Sequence, residues 1–107
     1  MNHPLGRWPI RRVTVRGPSM APTLRDGATV LVRRSARARV GDVVLVRWAS
    51  RPGQLSIKRV ARPGYFVVGD NQLASTDSNQ LGMAEVLGVV IWPIRAASRS
   101  GPGMPRT

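Results

Sequence analysis

The apolar runs of this chain are short, and glycine, proline or aspartate bounds each of them. Ala28 to Arg33 (ATVLVR), Val43 to Trp48 (VVLVRW), Leu55 to Val60 (LSIKRV), Tyr65 to Val68 and Val86 to Trp92 are rich in Val, Leu and Ile, residues that favour strands. Near the start, Val13 and Val15 alternate with Arg12, Thr14 and Arg16, the two-residue period of a half-buried strand. Many short strands between frequent turn signals specify a small sandwich or barrel, so the expected fold is mainly β. Asp26-Gly27 and Gly41-Asp42 each open a strand, and Arg51-Pro52-Gly53 and Arg62-Pro63-Gly64 read as hairpin turns. Asp70 to Gly82 (DNQLASTDSNQLG) is polar and is expected to be a loop without secondary structure.

A chain of 107 residues holds one compact domain, which excludes a two-domain enzyme. The expected organisation is a flexible segment over 1–12, a folded domain over 13–94 and a Ser/Gly/Pro/Arg tail over 95–107 that lacks the means to pack. Seventeen basic residues against five acidic ones give a net charge of +12, and sixteen of the seventeen are arginine. Such an excess attracts polyanions. It raises a nucleic-acid module as one functional class, with Arg11, Arg12 and Arg16 in one cluster and Arg33, Arg34, Arg37 and Arg39 in another. Against that class stand only five aromatic residues and no nucleic-acid motif, so no specific nucleic-acid partner is expected.

With no cysteine, thiol nucleophiles, disulfides and Cys-based zinc sites are excluded. The single histidine, His3, lies in a Pro/Gly/Arg-containing start, so neither a Ser-His-Asp triad nor a His-rich metal site is expected, and no cofactor or metal. No apolar stretch reaches the length that spans a bilayer, and the first ten residues lack the apolar core of a secretory signal. The expectation is a cytoplasmic protein without an integral membrane anchor.

If there is a catalytic centre, its nucleophile must be Ser or Thr and its base a lysine or a carboxylate. Arginine stays protonated in proteins, whereas burial and neighbouring cations bring a lysine down towards neutrality. Lys58 is the only lysine. On a strand from Leu55 to Val60 it shares one face with Ser56 and Val60, away from Leu55, Ile57 and Arg59. Taken alone, a strand lysine is more commonly a solvated edge residue. The nucleophile candidate is Ser19 in Gly17-Pro18-Ser19-Met20-Ala21-Pro22, where prolines and a glycine fix a turn that can present a hydroxyl. An ordinary turn serine would look the same.

Taken together, GPSMAPTL at Gly17 to Leu24 with Asp26-Gly27, Gly41-Asp42-Val43-Val44, Lys58-Arg59-Val60, and Gly69-Asp70-Asn71 with Ser75, Asp77, Ser78 and Gly82 form an ordered series. This series resembles the boxes of type I signal peptidases over about 13–90. The resemblance implies a Ser/Lys dyad peptidase on the small coiled β-barrel of that catalytic core. Ser19 would attack the peptide carbonyl, its amide would face the oxyanion, and Lys58 would act as general base and then general acid. Ser75 would orient the lysine, Asp70 would pair with Arg59, Met20 would pack beneath the cleft, and Asp77 would be a structural carboxylate. For Met20 a plain core role fits equally well.

Three departures from the family pattern bear on the reading. Gln72 and Asn79 stand where arginine is usual, so Asp77 lacks its expected ion pair and the loop is expected to be looser. Gly17 offers no side-chain donor to the oxyanion. Only ten residues separate Lys58 from Gly69, which leaves no room for the inserted second domain of many family members. In its size and its expected lack of an anchor the chain is similar to the nickel-type superoxide dismutase maturation proteases. That similarity implies a precursor with an N-terminal leader as partner, and any nickel would belong to the substrate. A minimal signal peptidase recruited to membranes by a partner keeps the same dyad. A self-cleaving domain of the repressor type lacks support, because no DNA-binding segment is expected before the motifs.

Overall fold

The computed structural model describes residues 9–94, with side chains described to Ile91. The expectations for 1–8 and for the tail 95–107 lie outside the described residues. Six strands form one antiparallel sheet: β1 (Ile10–Thr14), β2 (Thr29–Arg34), β3 (Val43–Trp48), β4 (Arg51–Arg62), β5 (Phe66–Val68) and β6 (Glu85–Ile94), in spatial order β1-β2-β6-β3-β4-β5. The mainly β architecture read from the sequence is the one observed, a curled half-barrel. β1 begins at Ile10, so 10–12 are part of the sheet. β4 passes into β5 through a tight turn at 63–65, and no domain is inserted between them.

Apolar side chains cover both faces of the sheet. One cluster gathers Met20, Val30, Val32, Leu45, Ile57 and Leu87; the other gathers Val44, Val46, Trp48, Val60, Val67 and Val86. β3 feeds both, with Leu45 in the first and Val44, Val46 and Trp48 in the second. A strand buried on both faces needs no polar alternation, which is why VVLV reads as an unbroken apolar run. Register shifts at Leu31/Val32, Leu45/Val46, Val46/Trp48 and Val60/Arg62 add local twist and help the sheet to curl.

Three local expectations are corrected. The first hairpin turns at Ala49-Ser50, and Arg51, Pro52 and Gly53 belong to β4. The pairing moves from Trp48↔Arg51 to Val46↔Ser56, so Pro52 to Leu55 oppose Arg47 alone and bulge from the ladder. Proline is tolerated there because a bulge leaves its missing N–H unneeded. Tyr65 is not the first strand residue; it lies in the turn at φ +64°. Its hydroxyl donates to Ala36 O (3.0 Å) and accepts from Ala38 N–H (3.3 Å), fastening the loop before β3.

The third correction is the stretch from Asp70 to Gly82, which contains a 3-10 turn, Gln72–Ala74, and a one-turn helix, α1 (Ser78–Leu81). Asp77 caps α1, and Gln80 completes the capping box by accepting the Asp77 N–H at 2.9 Å. Asp-x-x-Gln encodes this reciprocal cap, and its tertiary partners stabilise a helix too short to stand alone. Since Leu45 is 1% exposed at the centre of the first cluster, Leu45→Ala should cost about 2–4 kcal/mol in urea unfolding with the sheet retained by circular dichroism.

Candidate active site

The loop carrying Ser19 joins β1 to β2, and its base continues their ladder. Val15 N–H donates to Ala28 O and Gly27 N–H to Val15 O, both at 2.8 Å. Gly17, at φ +83°, donates its N–H to Asp26 Oδ1 at 2.7 Å, a backbone conformation glycine adopts without strain. Leu24 N–H returns to Met20 O (2.9 Å), and the Met20 side chain is fully buried in the first cluster. Burial of Met20 and Leu24 anchors the turn from below.

Lys58 lies on β4 opposite Val44 and is 4% exposed, so the reading of a solvated edge lysine does not hold. Its Nζ donates to Ser75 Oγ at 3.1 Å, and Ser75 Oγ donates to Asp77 Oδ2 at 2.9 Å. Burial lowers the Lys58 pKa from its ordinary 10.5, against an opposing pull from the Asp77 charge. Asp77 is itself buried, which alone would raise its pKa. The N–H groups of Asn79 and Gly69, the Ser75 hydroxyl and the Asn79 side-chain amide overcome that and hold the carboxyl below the ordinary aspartate value. The amide of Asn79 thus donates where an arginine was expected, and the carboxylate is satisfied without an ion pair. Gln72 is equally occupied, its side-chain amide donating to Gly69 O.

Asp70 and Arg59 form a two-pronged pair, Nε to Oδ1 at 2.9 Å and Nη2 to Oδ2 at 2.8 Å. The third guanidinium nitrogen reaches Gly41 O at 2.8 Å. The Arg59 hydrogen bonds lower the Asp70 pKa against the effect of burial, with help from the Thr23 hydroxyl and the Arg59 charge. The same pair raises that of Arg59.

These groups meet at two loops. Asn71 N–H donates to Ser19 O (2.7 Å), Asn71 Nδ2 to Pro18 O (3.1 Å), and Asp70 N–H to the Met20 thioether (3.4 Å). A groove of about 640 Å³ is lined by both Ser19 and Lys58, together with Val13 and Thr14 of β1 and the bulged Gly53 to Leu55 of β4. The hydrogen bond that Lys58 makes goes to Ser75; among the described residues none joins it to Ser19, which lines the same groove. From the sequence, Asp26 only opens a strand, and Gly69 and Asn71 carry no role beyond their place in the motif series. A Cβ on Gly69 would lie 2.6 Å from Ser19 O and against Ser75 Oγ, so only glycine fits between the two loops.

The family model for peptidase S24-like proteins matches residues 10–91. The chain belongs to the peptidase S24-like family. Membership makes it a serine-type peptidase domain in the general sense and accounts for the β architecture. Comparison with curated proteins finds no matching relative. Among the described residues no group of three or more His, Cys, Asp or Glu is placed to hold a metal ion, and no helix is long and apolar enough to cross a membrane.

In this S24-like domain, Gly69→Ala should lower stability by about 1–3 kcal/mol, because the methyl group must displace either the Ser19 backbone or Ser75. Urea unfolding measures it. The Arg59–Asp70 pair predicts a pH signature. A carboxyl lowered in the folded state adds stability above its unfolded value, here 3.8, and loses it as pH falls through the lower folded value. Asp70→Asn should therefore be less stable than the parent by on the order of 1–2 kcal/mol at pH 6, with the gap closing below about pH 4 in urea titrations.

Proposed function

We propose that this domain is an endopeptidase with a Ser19/Lys58 dyad that removes an N-terminal leader from a precursor protein. One observation carries the reading: the single lysine of the chain is buried, its pKa is lowered by that burial, and it lines the same groove as Ser19. A lysine so placed loses its proton more readily than one in water and becomes a competent base.

In the mechanism, neutral Lys58 accepts the Ser19 hydroxyl proton while Oγ bonds to the scissile carbonyl carbon. The oxyanion faces the Ser19 N–H, which no hydrogen bond engages among the described residues. Lys58 then returns the proton to the leaving amine as the C–N bond breaks, leaving an acyl-enzyme. Lys58 then deprotonates a water as its oxygen bonds to the acyl carbon, and returns that proton to Ser19 Oγ as the ester C–O bond breaks, which releases the acyl group as an acid and restores the dyad. Ser75 directs the lysine, its own hydroxyl proton held by Asp77. Gly17 contributes no side-chain donor, so the oxyanion rests on backbone alone.

For the substrate, the likeness to nickel-type superoxide dismutase maturation proteases favours the precursor of that enzyme and a cytoplasmic site of action. Co-expression with that precursor and mass spectrometry of its N-terminus should show a trimmed product with the parent and an intact leader with Ser19→Ala. In purified assays Lys58→Arg should lose at least about 10³-fold in turnover, as Lys58→Met does, because a guanidinium stays charged. Near-normal turnover by Lys58→Arg would end the dyad reading. Protonated lysine cannot accept a proton, so kcat/KM should rise with pH through a midpoint below 10.5.

A further inference from the structure

We infer that Arg16 selects an acidic side chain in the substrate, a few residues from the scissile bond; the inference rests on the peptidase reading above. Arg16 follows β1, three residues before Ser19, and lines the groove that Ser19 and Lys58 share. Among the described residues it and Lys58 are the only charged ones lining that groove, and no carboxylate is among them. The Arg16 side chain is exposed and has no carboxylate partner among the described residues.

The chain's own acids are committed elsewhere. It has five. Asp26 accepts from Gly17, Asp42 from Arg39 N–H, Asp70 from Arg59, Asp77 from its four donors, and Glu85 from Arg47. Among the described residues the groove therefore carries one fixed cation, Arg16, with Leu45 and Ile57 as apolar lining and no lining carboxylate to compete with a ligand. An extended peptide advances about 3.3 Å per residue, so a chain crossing Ser19 reaches Arg16 within a few residues. A guanidinium takes a carboxylate in two parallel hydrogen bonds, which recognises Asp or Glu by shape as well as by charge.

Lys58 restricts where that acid can lie. A carboxylate set directly against the lysine would favour its ammonium form and remove the base. The acid must sit on the Arg16 side of the reacting bond. There it meets a charge that cannot be titrated away, and the lysine is spared.

The test is cleavage profiling on the full chain with a mixed peptide library made by digesting casein, the cut sites read by mass spectrometry. Parent protein should cut bonds enriched in Asp or Glu at one position within about six residues of the cut, and Ser19→Ala should cut none. For a pair of synthetic peptides differing there as Glu and Gln, kcat/KM should favour Glu by about 5-fold at low salt, chiefly through KM, and less in 0.5 M sodium chloride. Arg16→Glu should reverse the preference towards Lys or Arg at the same position, and Arg16→Gln should abolish it. Ser19-dependent cleavage with the same charge profile in parent and Arg16→Glu would overturn the Arg16 assignment and leave the dyad standing. Cleavage that persists in Ser19→Ala, or no cleavage by the parent, would overturn the dyad and this inference with it.

Discussion

The carboxylate of Asp77 is 1% exposed, and removing such a charge from water costs several kcal/mol unless donors replace the solvent. Four do: Gly69 N–H and Ser75 Oγ at one oxygen, and the backbone and side-chain N–H groups of Asn79 at the other. With the carboxylate satisfied in this way, Ser75 stands between it and Lys58. Direct contact with Asp77 would have raised the lysine strongly and fixed it as an ammonium. Held one hydroxyl away, the aspartate only partly offsets the effect of burial, and the balance leaves Lys58 below its ordinary value. The behaviour of the one buried amine therefore depends on how fully Asp77 is satisfied by others.

Ser19 and Lys58 come from distant parts of the sheet. The Ser19 loop leaves β1, an edge strand, whereas Lys58 is on β4, separated from β1 in the strand order by β2, β6 and β3. Curling of the sheet narrows that separation, and the residues after β5 close it. The Asp70 carboxylate is locked to Arg59 on β4 while the Asp70 and Asn71 amides hold Met20 and Ser19. Two adjacent residues thus tie both halves of the groove together. Gly69 permits the approach by having no side chain, and Gln72 caps its carbonyl. Positioning on this scale comes from a handful of backbone contacts, so a single methyl group at 69 matters.

Strand positions were legible because burial leaves a periodic trace in composition, and β2 and β3 coincide closely with the runs ATVLVR and VVLVRW. Turn chemistry was legible at Pro63-Gly64 and misleading at Pro52-Gly53, since the same dipeptide serves a turn or a bulge and only the cross-strand register decides. The segment from 70 to 82 hid its structure for a related reason. Polar residues read as loop, yet here they are spent on caps and on the Asp77 network, whose partners are remote or reciprocal. Of the candidate site, the identity of the lone lysine and the turn serine could be read from the residues. That Asn79 satisfies the carboxylate where an arginine was expected could not, because it depends on a geometry that composition does not carry. The roles of Gly69 and Asn71 were hidden likewise, being contacts between loops 50 residues apart in the chain.

Neighbouring Lys58 and Arg59 show why the chain's cations are not interchangeable. They point to opposite faces of β4. Arg59 meets Asp70 directly in a bidentate pair, and its pKa is raised. Lys58 enters a buried pocket without a direct counter-ion, and its pKa is lowered. Exchanging the two would fail at both places: a lysine cannot supply the planar fork that grips Asp70 and also reaches Gly41 O, and an arginine buried opposite Val44 would carry a charge it cannot shed. Of the chain's seventeen basic side chains, sixteen of them arginine, Lys58 alone is of the kind that can shed its charge.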